Sequence, residues 1–227
     1  MLGQRRRDVS LAESPFAGFT ISAFLDALAS DQPAPGGGAA AAVVGAAAAA
    51  LIEMVCRFSQ GREAYAQWHE QILASLTITA HLRQELLASM DADAAAFAAV
   101  TAAYDLPRAG REERAVRRRV VDDALATAAQ PPLQAAAAAA TLAEVALALV
   151  GRTNAQLVSD LGAAGALLEA SLRIATFNVE ANTRALKADP RATALRDQLE
   201  ATRGLADQHL RALRSGVEQA LGGVLPQ

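Results

Sequence analysis

The stretch PAPGGGAAAAVVGAAAAALIEMVCRFSQ, residues 33–60, decides the fold. Two prolines and three glycines come first, and a long proline-free run follows that is mostly alanine, the best helix former. No charged residue occurs between Asp31 and Glu53, so the first half of this helix has no polar face. The pattern predicts a helix that begins at about residue 38, ends near Gln60 and forms the enclosed central rod of the fold.

The three glycines of this stretch, residues 36–38, allow two interpretations. They have no Cβ, and the first amides of a helix lack intrahelical partners, so the turn could hold an anionic or carbonyl oxygen of a ligand. Alternatively, the turn needs φ > 0 at several positions, and the alanines that follow let neighbouring backbones come close. The sequence leaves both interpretations open.

Composition favours an all-α protein. Of the 227 residues, 52% are apolar but only 4% are aromatic, and such an alanine-rich core suits closely packed helices better than sheets. We expect a multihelical bundle with a buried Ala/Gly-rich central helix as one domain, residues 19–222, after a loose tail, residues 1–18, that carries three arginines. The helices expected around the central one span about 20–31, 62–104, 111–129, 132–150, 161–187 and 190–221.

Charge and hydropathy limit the possible partners and locations. The net charge of −3 provides no positive field for nucleic acid, so none is expected as a partner. The longest apolar run, Ala39 to Ile52, is 14 residues, against roughly 20 needed to span a bilayer. No signal peptide opens the chain, and the single cysteine, Cys56, excludes an internal disulfide. We therefore expect a cytoplasmic protein without membrane contact.

Asp93 is the residue with the clearest potential for chemistry. At 100° per residue it falls between Met90 and Phe97 on the stripe of its helix expected to face the core, whereas Asp91 is 200° away and is expected to see solvent. Loss of hydration raises the pKa of a carboxyl group, so that it can accept and donate a proton near neutral pH. A buried aspartate that is satisfied by a helix terminus or a partner chain explains the pattern equally well.

Two further polar groups are candidate binding residues. Asn178 and Asn182 lie four residues apart on one helix, where their amides could hydrogen-bond a heterocycle or bridge helices. Asn154, Ser159 and Asp160 surround a helix start, and Ser159 or Asp160 could cap that helix. The three histidines are scattered, without cysteine or carboxylate at ligand spacing, so no metal site is predicted. No phosphate-binding or dinucleotide fingerprint occurs.

Five motifs in order resemble one known family. PAPGGGAA, SMDADAAAF, PPL, TNAQLVSD and FNVEAN are similar to segments of the cyclodeaminase domain of formiminotransferase-cyclodeaminase and of the related stand-alone methenyltetrahydrofolate cyclohydrolases. The resemblance covers roughly residues 20 to 220. It implies an all-helical fold, assembly as at least a homodimer, and a one-carbon tetrahydrofolate as substrate, with no further cofactor.

The resemblance also implies roles for particular residues. The family's acid/base aspartate falls in DADAAAF, at Asp93, the position that the helical stripe favours over Asp91. The remaining motifs supply candidate substrate-binding residues: Pro35, Gly36, Gly37, Gly38, Asn154, Ser159, Asp160, Asn178 and Asn182. One carboxyl with a raised pKa could serve either reaction.

Three departures from the family pattern limit this interpretation. Ala39 stands where serine is common, and Thr153 stands where glycine is common. No formiminotransferase domain is recognisable, so we expect any folate to reach the chain by diffusion. Two hypotheses follow: a folate one-carbon enzyme, either cyclodeaminase or cyclohydrolase, and a non-catalytic helical folate-binding or interaction protein of the same fold.

Overall fold

The computed structural model describes residues 16–186 and 189–222, and every regular element in those ranges is helical. The predicted all-α fold is thereby confirmed. Three short 3-10 segments, Phe16–Gly18, Glu63–Trp68 and Ala155–Leu157, accompany seven α-helices. The α-helices are α1 (Ile21–Leu28), α2 (Gly37–Ser59), α3 (His69–Tyr104), α4 (Arg111–Ala128), α5 (Gln130–Leu149), α6 (Val158–Ala185) and α7 (Pro190–Ala220).

Helix α2 lies between α3 and α6 and also contacts α5. Small residues allow these helices to approach closely: a Cβ added at Gly45 would lie 2.9 Å from Ser171 Oγ, and this hydroxyl donates a 2.8 Å hydrogen bond to the carbonyl of Ala41. The predicted complete enclosure is wrong on one side, because Ala47 and Ala50 are exposed. Helix α2 is therefore central but forms part of the surface of the chain.

At the glycine turn, the structure corrects two predictions: where α2 begins and why the glycines are present. The helix begins at Gly37, so Gly37 and Gly38 belong to its first turn. In the part of the chain described, the glycines with positive φ are Gly61, Gly151 and Gly222. The need for φ > 0 therefore does not explain residues 36–38. Gly61, with φ of 71°, does provide the predicted stop after α2.

A single residue, Ala129, separates α4 from α5. Pro131 and Pro132 occupy the first turn of α5, where a missing N–H costs little. The missing N–H groups instead affect the backbone carbonyls at the end of α4. Pro132 has no N–H to offer the carbonyl of Ala128 four residues earlier, so that carbonyl needs another donor.

A buried ion pair joins α2 to α3. The Glu53 side chain is only 7% exposed, and Arg83 Nε donates to its Oε1 at 2.6 Å. Glu53 is the first charged residue of α2. Its burial is tolerated because Arg83 supplies the hydrogen-bonded partner that a buried charge needs. Burial, with Glu53 nearby, raises the pKa of the Cys56 thiol to about 12, which makes this cysteine an inert core residue.

The N-terminal boundary is earlier than the predicted one. Residues 1–15 lie outside the described ranges, but Phe16–Gly18 form a 3-10 turn in which Phe16 is 5% exposed. Phe16 and Phe24 of α1 form a small apolar cluster with Ala39, Ala42 and Met90. Within the predicted tail, Phe16 therefore packs against the bundle, whereas Ala17 and Gly18 are exposed.

Within residues 16–186 and 189–222, three helical segments are long and apolar enough to cross a membrane: Gly37–Ser59, Glu63–Tyr104 and Arg111–Leu149. The 14-residue apolar run therefore does not exclude a membrane-spanning helix, because the complete helices are longer and still apolar enough. In the first and third segments, 61% of the most apolar window is buried inside the fold. Packing against neighbouring helices accounts for much of their apolar surface.

Candidate functional site

The first turn of α2, the middle of α3 and the last third of α6 meet at one place. A Cβ added at Gly38 would overlap the carboxylate of Asp93, and one at Gly37 would lie 3.2 Å from Asn178 Nδ2. Gly38 is needed because the carboxylate of Asp93 occupies the space that a side chain there would fill, and at Gly37 an added methyl group would crowd the amide of Asn178. Of the predicted site residues, the structure thus brings together Gly37, Gly38, Asp93 and Asn178.

Asp93 is half-buried at the N-terminus of α2, where the backbone N–H of Ala39 donates to its carboxylate. Burial raises the pKa of the carboxyl above its ordinary value, and the hydrogen bond from Ala39 opposes this rise. No lysine, arginine or histidine side chain of the described ranges forms an ion pair with Asp93. Asp93 therefore combines a helix-terminus contact with a carboxyl group that is poised to take up a proton.

The neighbouring stripe of α3 differs from the prediction at two positions. Asp91 was expected to see solvent, but its Oδ1 accepts a 2.7 Å hydrogen bond from the N–H of Phe16. Phe97 was expected in the core, but it is 47% exposed. The reason is that α3 extends beyond the N-terminus of α2, so the continuation of the Asp93 stripe has no central helix to cover it.

The two asparagines of α6 have different surroundings. Asn178 Nδ2 donates to the carbonyl of Ile174 at 2.8 Å, one turn earlier in its own helix, and its amide lies against Gly37. Asn182 Nδ2 donates at 3.1 Å to the carbonyl of Ala128, the group that Pro132 leaves without a donor. Asn178 therefore faces the site, whereas Asn182 joins α6 to the end of α4.

This difference predicts different outcomes for two alanine substitutions. Asn182→Ala should lower the free energy of unfolding by about 1 to 2 kcal/mol, because it leaves a buried carbonyl without a partner. Asn178→Ala should cost little stability, because the carbonyl of Ile174 keeps its helical N–H partner, but it should weaken substrate binding. Urea unfolding of both variants tests this. Equal destabilisation would contradict the division of roles.

The predicted binding residues around the start of α6 lie elsewhere. Nineteen residues separate Ser159 from Asn178 on α6, which is about 28 Å along the helix axis. Ser159 is exposed beside a cavity of about 300 Å³ between α6 and α7. Helix α6 begins at Val158, so the predicted capping by Ser159 or Asp160 is wrong. Within one chain, Asn154, Ser159 and Asp160 do not join the Asp93 site.

Asn154 has a structural role at this position. Its Oδ1 accepts the N–H of Gln156 at 3.1 Å, and its own N–H donates to Ser59 Oγ at 2.9 Å. Thr153, the second departure from the family pattern, is 5% exposed and its hydroxyl donates to the carbonyl of Leu149. The segment therefore connects the end of α5 to the end of α2.

The remaining residues of the glycine turn act through their backbone. Pro35 is buried, and the Ala34–Pro35 peptide bond is cis. Gly36 is the N-cap residue of α2, and its carbonyl accepts the N–H of Ala40 at 3.0 Å. The methyl group of Ala39 is fully buried in the apolar cluster with Phe24. Ala39 contributes its N–H to Asp93, which any residue except proline could supply.

Comparisons with known proteins identify the class to which this fold and site belong. A family model described as formiminotransferase-cyclodeaminase matches residues 20–201, and the chain belongs to this family of folate one-carbon enzymes. It is 38% identical over 186 residues to a methenyltetrahydrofolate cyclohydrolase of Methylorubrum extorquens, a match that covers 82% of this chain and 88% of the relative. The match supports the resemblance inferred from the motifs.

Longer relatives and a solved structure agree with this assignment. The formimidoyltransferase-cyclodeaminase of Gallus gallus is 33% identical over 72% of this chain, which spans 30% of that longer protein. A formiminotetrahydrofolate cyclodeaminase from Thermotoga maritima superposes with a TM-score of 0.82 at 25% identity, covering 90% of this chain and 98% of the other. The fold of this chain is therefore similar to that of a solved cyclodeaminase.

Proposed function

We propose that this protein is a methenyltetrahydrofolate cyclohydrolase in which Asp93 is the catalytic acid/base. The observation that carries the proposal is the half-buried carboxyl of Asp93, with its raised pKa, at the glycine-rich start of α2 and close to the amide of Asn178. The 38% identity to a cyclohydrolase over nearly the whole of both chains supports the choice of reaction.

The proposed chemistry needs one group that moves protons. Water attacks the methenyl carbon of 5,10-methenyltetrahydrofolate, and Asp93 accepts a proton from it to give a neutral carbinol. Asp93 then returns the proton to N5 as the bond between this carbon and N5 breaks. The new formyl group on N10 loses its hydroxyl proton to solvent. A carboxyl whose pKa is raised above its ordinary value suits both steps, because the rise makes its carboxylate a stronger base and so a better proton acceptor.

The neighbouring groups orient the substrate in this proposal. The amide of Asn178 can hydrogen-bond the pterin, and the missing side chains of Gly37 and Gly38 let Asn178 and Asp93 lie against the start of α2. The carboxylate form of Asp93 also attracts the positive charge of the methenyl group. These contacts fix the reacting carbon near Asp93, and no metal or further cofactor is required.

A second reaction, cyclodeamination of 5-formiminotetrahydrofolate, is favoured by the structural similarity to the Thermotoga maritima cyclodeaminase. In this reaction N10 attacks the formimino carbon and ammonia leaves. Asp93 would remove the N10 proton and protonate the departing nitrogen. The same residue in the same position therefore serves either substrate.

Folate binding separates the enzyme from a helical interaction protein of the same fold without a folate site, whereas turnover separates it from a non-catalytic folate-binding protein. Titration with 5,10-methenyltetrahydrofolate and with 5-formyltetrahydrofolate should give saturable binding to the purified protein. The enzyme proposal fails if neither compound binds at millimolar concentration. Ala39 and Thr153 motivated the non-catalytic alternative, but both serve structural contacts that leave Asp93 and Asn178 in place.

We further propose that the protein is a cytoplasmic homodimer. Several large apolar side chains are exposed on one chain, among them Ile21, Phe177 and Leu205, which are 82%, 62% and 59% exposed. Covering such side chains is the usual advantage of self-association. Light scattering at micromolar concentration should give twice the 23.5 kDa of one chain, or a multiple of that value. The mass of a single chain would refute this proposal.

A further inference from the structure

A second cavity, of about 420 Å³, lies where the end of α3 meets the start of α4. Four of its lining residues are arginines, Arg108, Arg114, Arg117 and Arg118, and one is the carboxylate Asp122. The whole chain has a net charge of −3, so this excess of positive charge opposes the overall balance. We call this cavity the arginine pocket.

Two of the arginines are held in position by backbone carbonyls. Arg117 donates from Nε and Nη2 to the carbonyl of Tyr104, at 3.1 and 2.8 Å, and its guanidinium lies over the Tyr104 ring at 5.4 Å from the centroid. Arg114 Nη1 donates to the carbonyl of Ala109 at 2.7 Å. Each contact uses one edge of the guanidinium and leaves other N–H groups for an anion.

The other two arginines differ in their pairing. Arg118 donates to Asp122 at 2.6 Å, which neutralises part of the pocket. Arg108 lies in the exposed loop between α3 and α4, and its side chain forms no ion pair with any residue of the described ranges. Three positive charges therefore remain uncompensated by the carboxylate within the lining.

The arginine pocket lies on the same face of α3 as Asp93. Eleven residues separate Asp93 from Tyr104, which corresponds to a rotation of about 20° and to roughly 16 Å along the helix axis. Phe97 lies on this stripe between them and is 47% exposed, and Tyr104 is 45% exposed. The exposed ring of Phe97 thus lies along α3 between Asp93 and the arginine pocket, which Tyr104 lines.

We propose that the arginine pocket binds the carboxylates at the glutamate end of the folate substrate. With the pterin at Asp93, an extended folate directs its benzoyl ring along Phe97 and its glutamate toward Arg114 and Arg108. Guanidinium groups suit this task because they bind carboxylates through paired, charge-assisted hydrogen bonds. This inference rests on the proposed function, since it assumes that the substrate carries a glutamate.

The test compares two fragments of the substrate tail, p-aminobenzoylglutamate and its dimethyl ester, which lacks the negative charges. Calorimetric titration of wild type should show that the diacid binds about tenfold or more tightly than the diester. In the double variant R108A/R114A the ratio of the two affinities should fall close to one. Arg119→Ala is the matched control, because it removes an exposed charge of α4 that does not line the pocket.

The affinity ratio is a measurement that a purely structural effect of the substitutions does not change, because both fragments share the same ring. The proposal is overturned if wild type does not bind the diacid at millimolar concentration, if it does not discriminate between the fragments, or if the double variant keeps the wild-type ratio. Loss of the ratio in the control as well would also overturn it, since the effect would then reflect net charge alone.

Turnover of 5,10-methenyltetrahydrofolate by the same proteins separates this proposal from the proposed function. In R108A/R114A the KM should rise by roughly tenfold or more, with a smaller change in kcat. Unchanged KM with normal wild-type turnover would remove the arginine pocket from substrate binding and leave the cyclohydrolase assignment intact. If wild type binds the diacid selectively but does not turn over the folate, the cyclohydrolase assignment fails and the arginine pocket remains a carboxylate-binding site.

Discussion

Asp93→Asn should slow turnover of the folate by roughly a hundredfold or more while leaving folate binding nearly unchanged. Asparagine has the size of aspartate, and its amide oxygen can still accept the N–H of Ala39, but it cannot carry a proton. The free energy of unfolding should be equal to or slightly above that of wild type, because burial disfavours the charged carboxyl. Steady-state kinetics and thermal melts of the two proteins measure these effects.

Asp93→Ala is the control for the helix-terminus contact. It removes the acceptor of the Ala39 N–H as well as the proton-transfer group, so it should also lose about 1 kcal/mol of stability, as loss of a capping side chain does. The acid/base assignment would be wrong if the asparagine variant kept full activity. It would equally be wrong if that variant melted far below wild type, because a structural role would then dominate.

The direction of the pKa shift of Asp93 adds a pH dependence to this comparison. The native carboxyl has a pKa above its ordinary value of 3.8, so the native state binds more protons than the unfolded state between the two values. Wild-type stability should therefore fall as the pH rises through that interval, and the asparagine variant should lack this loss. The acid limb of kcat/KM in wild type should lie at higher pH than for an ordinary aspartate.

Gly38→Ala should abolish most activity while leaving the fold largely intact. The added methyl group would overlap the carboxylate of Asp93, the end of a side chain that can rotate away. Alanine improves helix propensity by up to about 1 kcal/mol, which offsets part of the crowding. A displacement of a reacting group by about 1 Å can cost a hundredfold in rate, so the loss should be of that order.

Gly36→Ala provides the matched substitution for this test. A Cβ at Gly36 has only the carbonyl oxygen of Pro33 nearby, at 4.0 Å, and its φ of −130° is open to any residue. Activity and melting temperature should therefore remain close to those of wild type. If Gly36→Ala and Gly38→Ala lose activity equally, the close approach of Asp93 does not explain why glycine is needed at position 38.

The helical position of Asp93 could be predicted from the sequence because its signals are local. Alanine content and the 3.6-residue period predicted the helices, and the stripe of α3 placed Asp93, rather than Asp91, on the face toward α2. The glycines were recognised as a site of close approach, but which side chain comes close to each depends on how α3 and α6 align with α2. That alignment is a tertiary property that periodicity within one helix does not contain.

The errors have similar physical causes. Phe97 was assigned to the core because it continues the helical period of Met90. However, α3 extends beyond the N-terminus of α2 at this level, so α2 does not cover Phe97. Ser159 and Asp160 stay predicted substrate-binding residues from the family resemblance, but the rise of α6 separates them from Asn178 within one chain. The role of Asn182 depends on the carbonyl that Pro132 leaves unpaired, and the sequence alone did not show that α6 passes this point.

The absorbance of 5,10-methenyltetrahydrofolate, followed with the purified protein, tests the central proposal most directly. Wild type should accelerate the loss of the methenyl species above the rate without protein, and Asp93→Asn should reduce this acceleration by roughly a hundredfold or more. With 5-formiminotetrahydrofolate as the starting compound, appearance of the methenyl absorbance would instead identify the cyclodeaminase reaction. Absence of any change with either compound would contradict the assignment of this protein as a folate one-carbon enzyme.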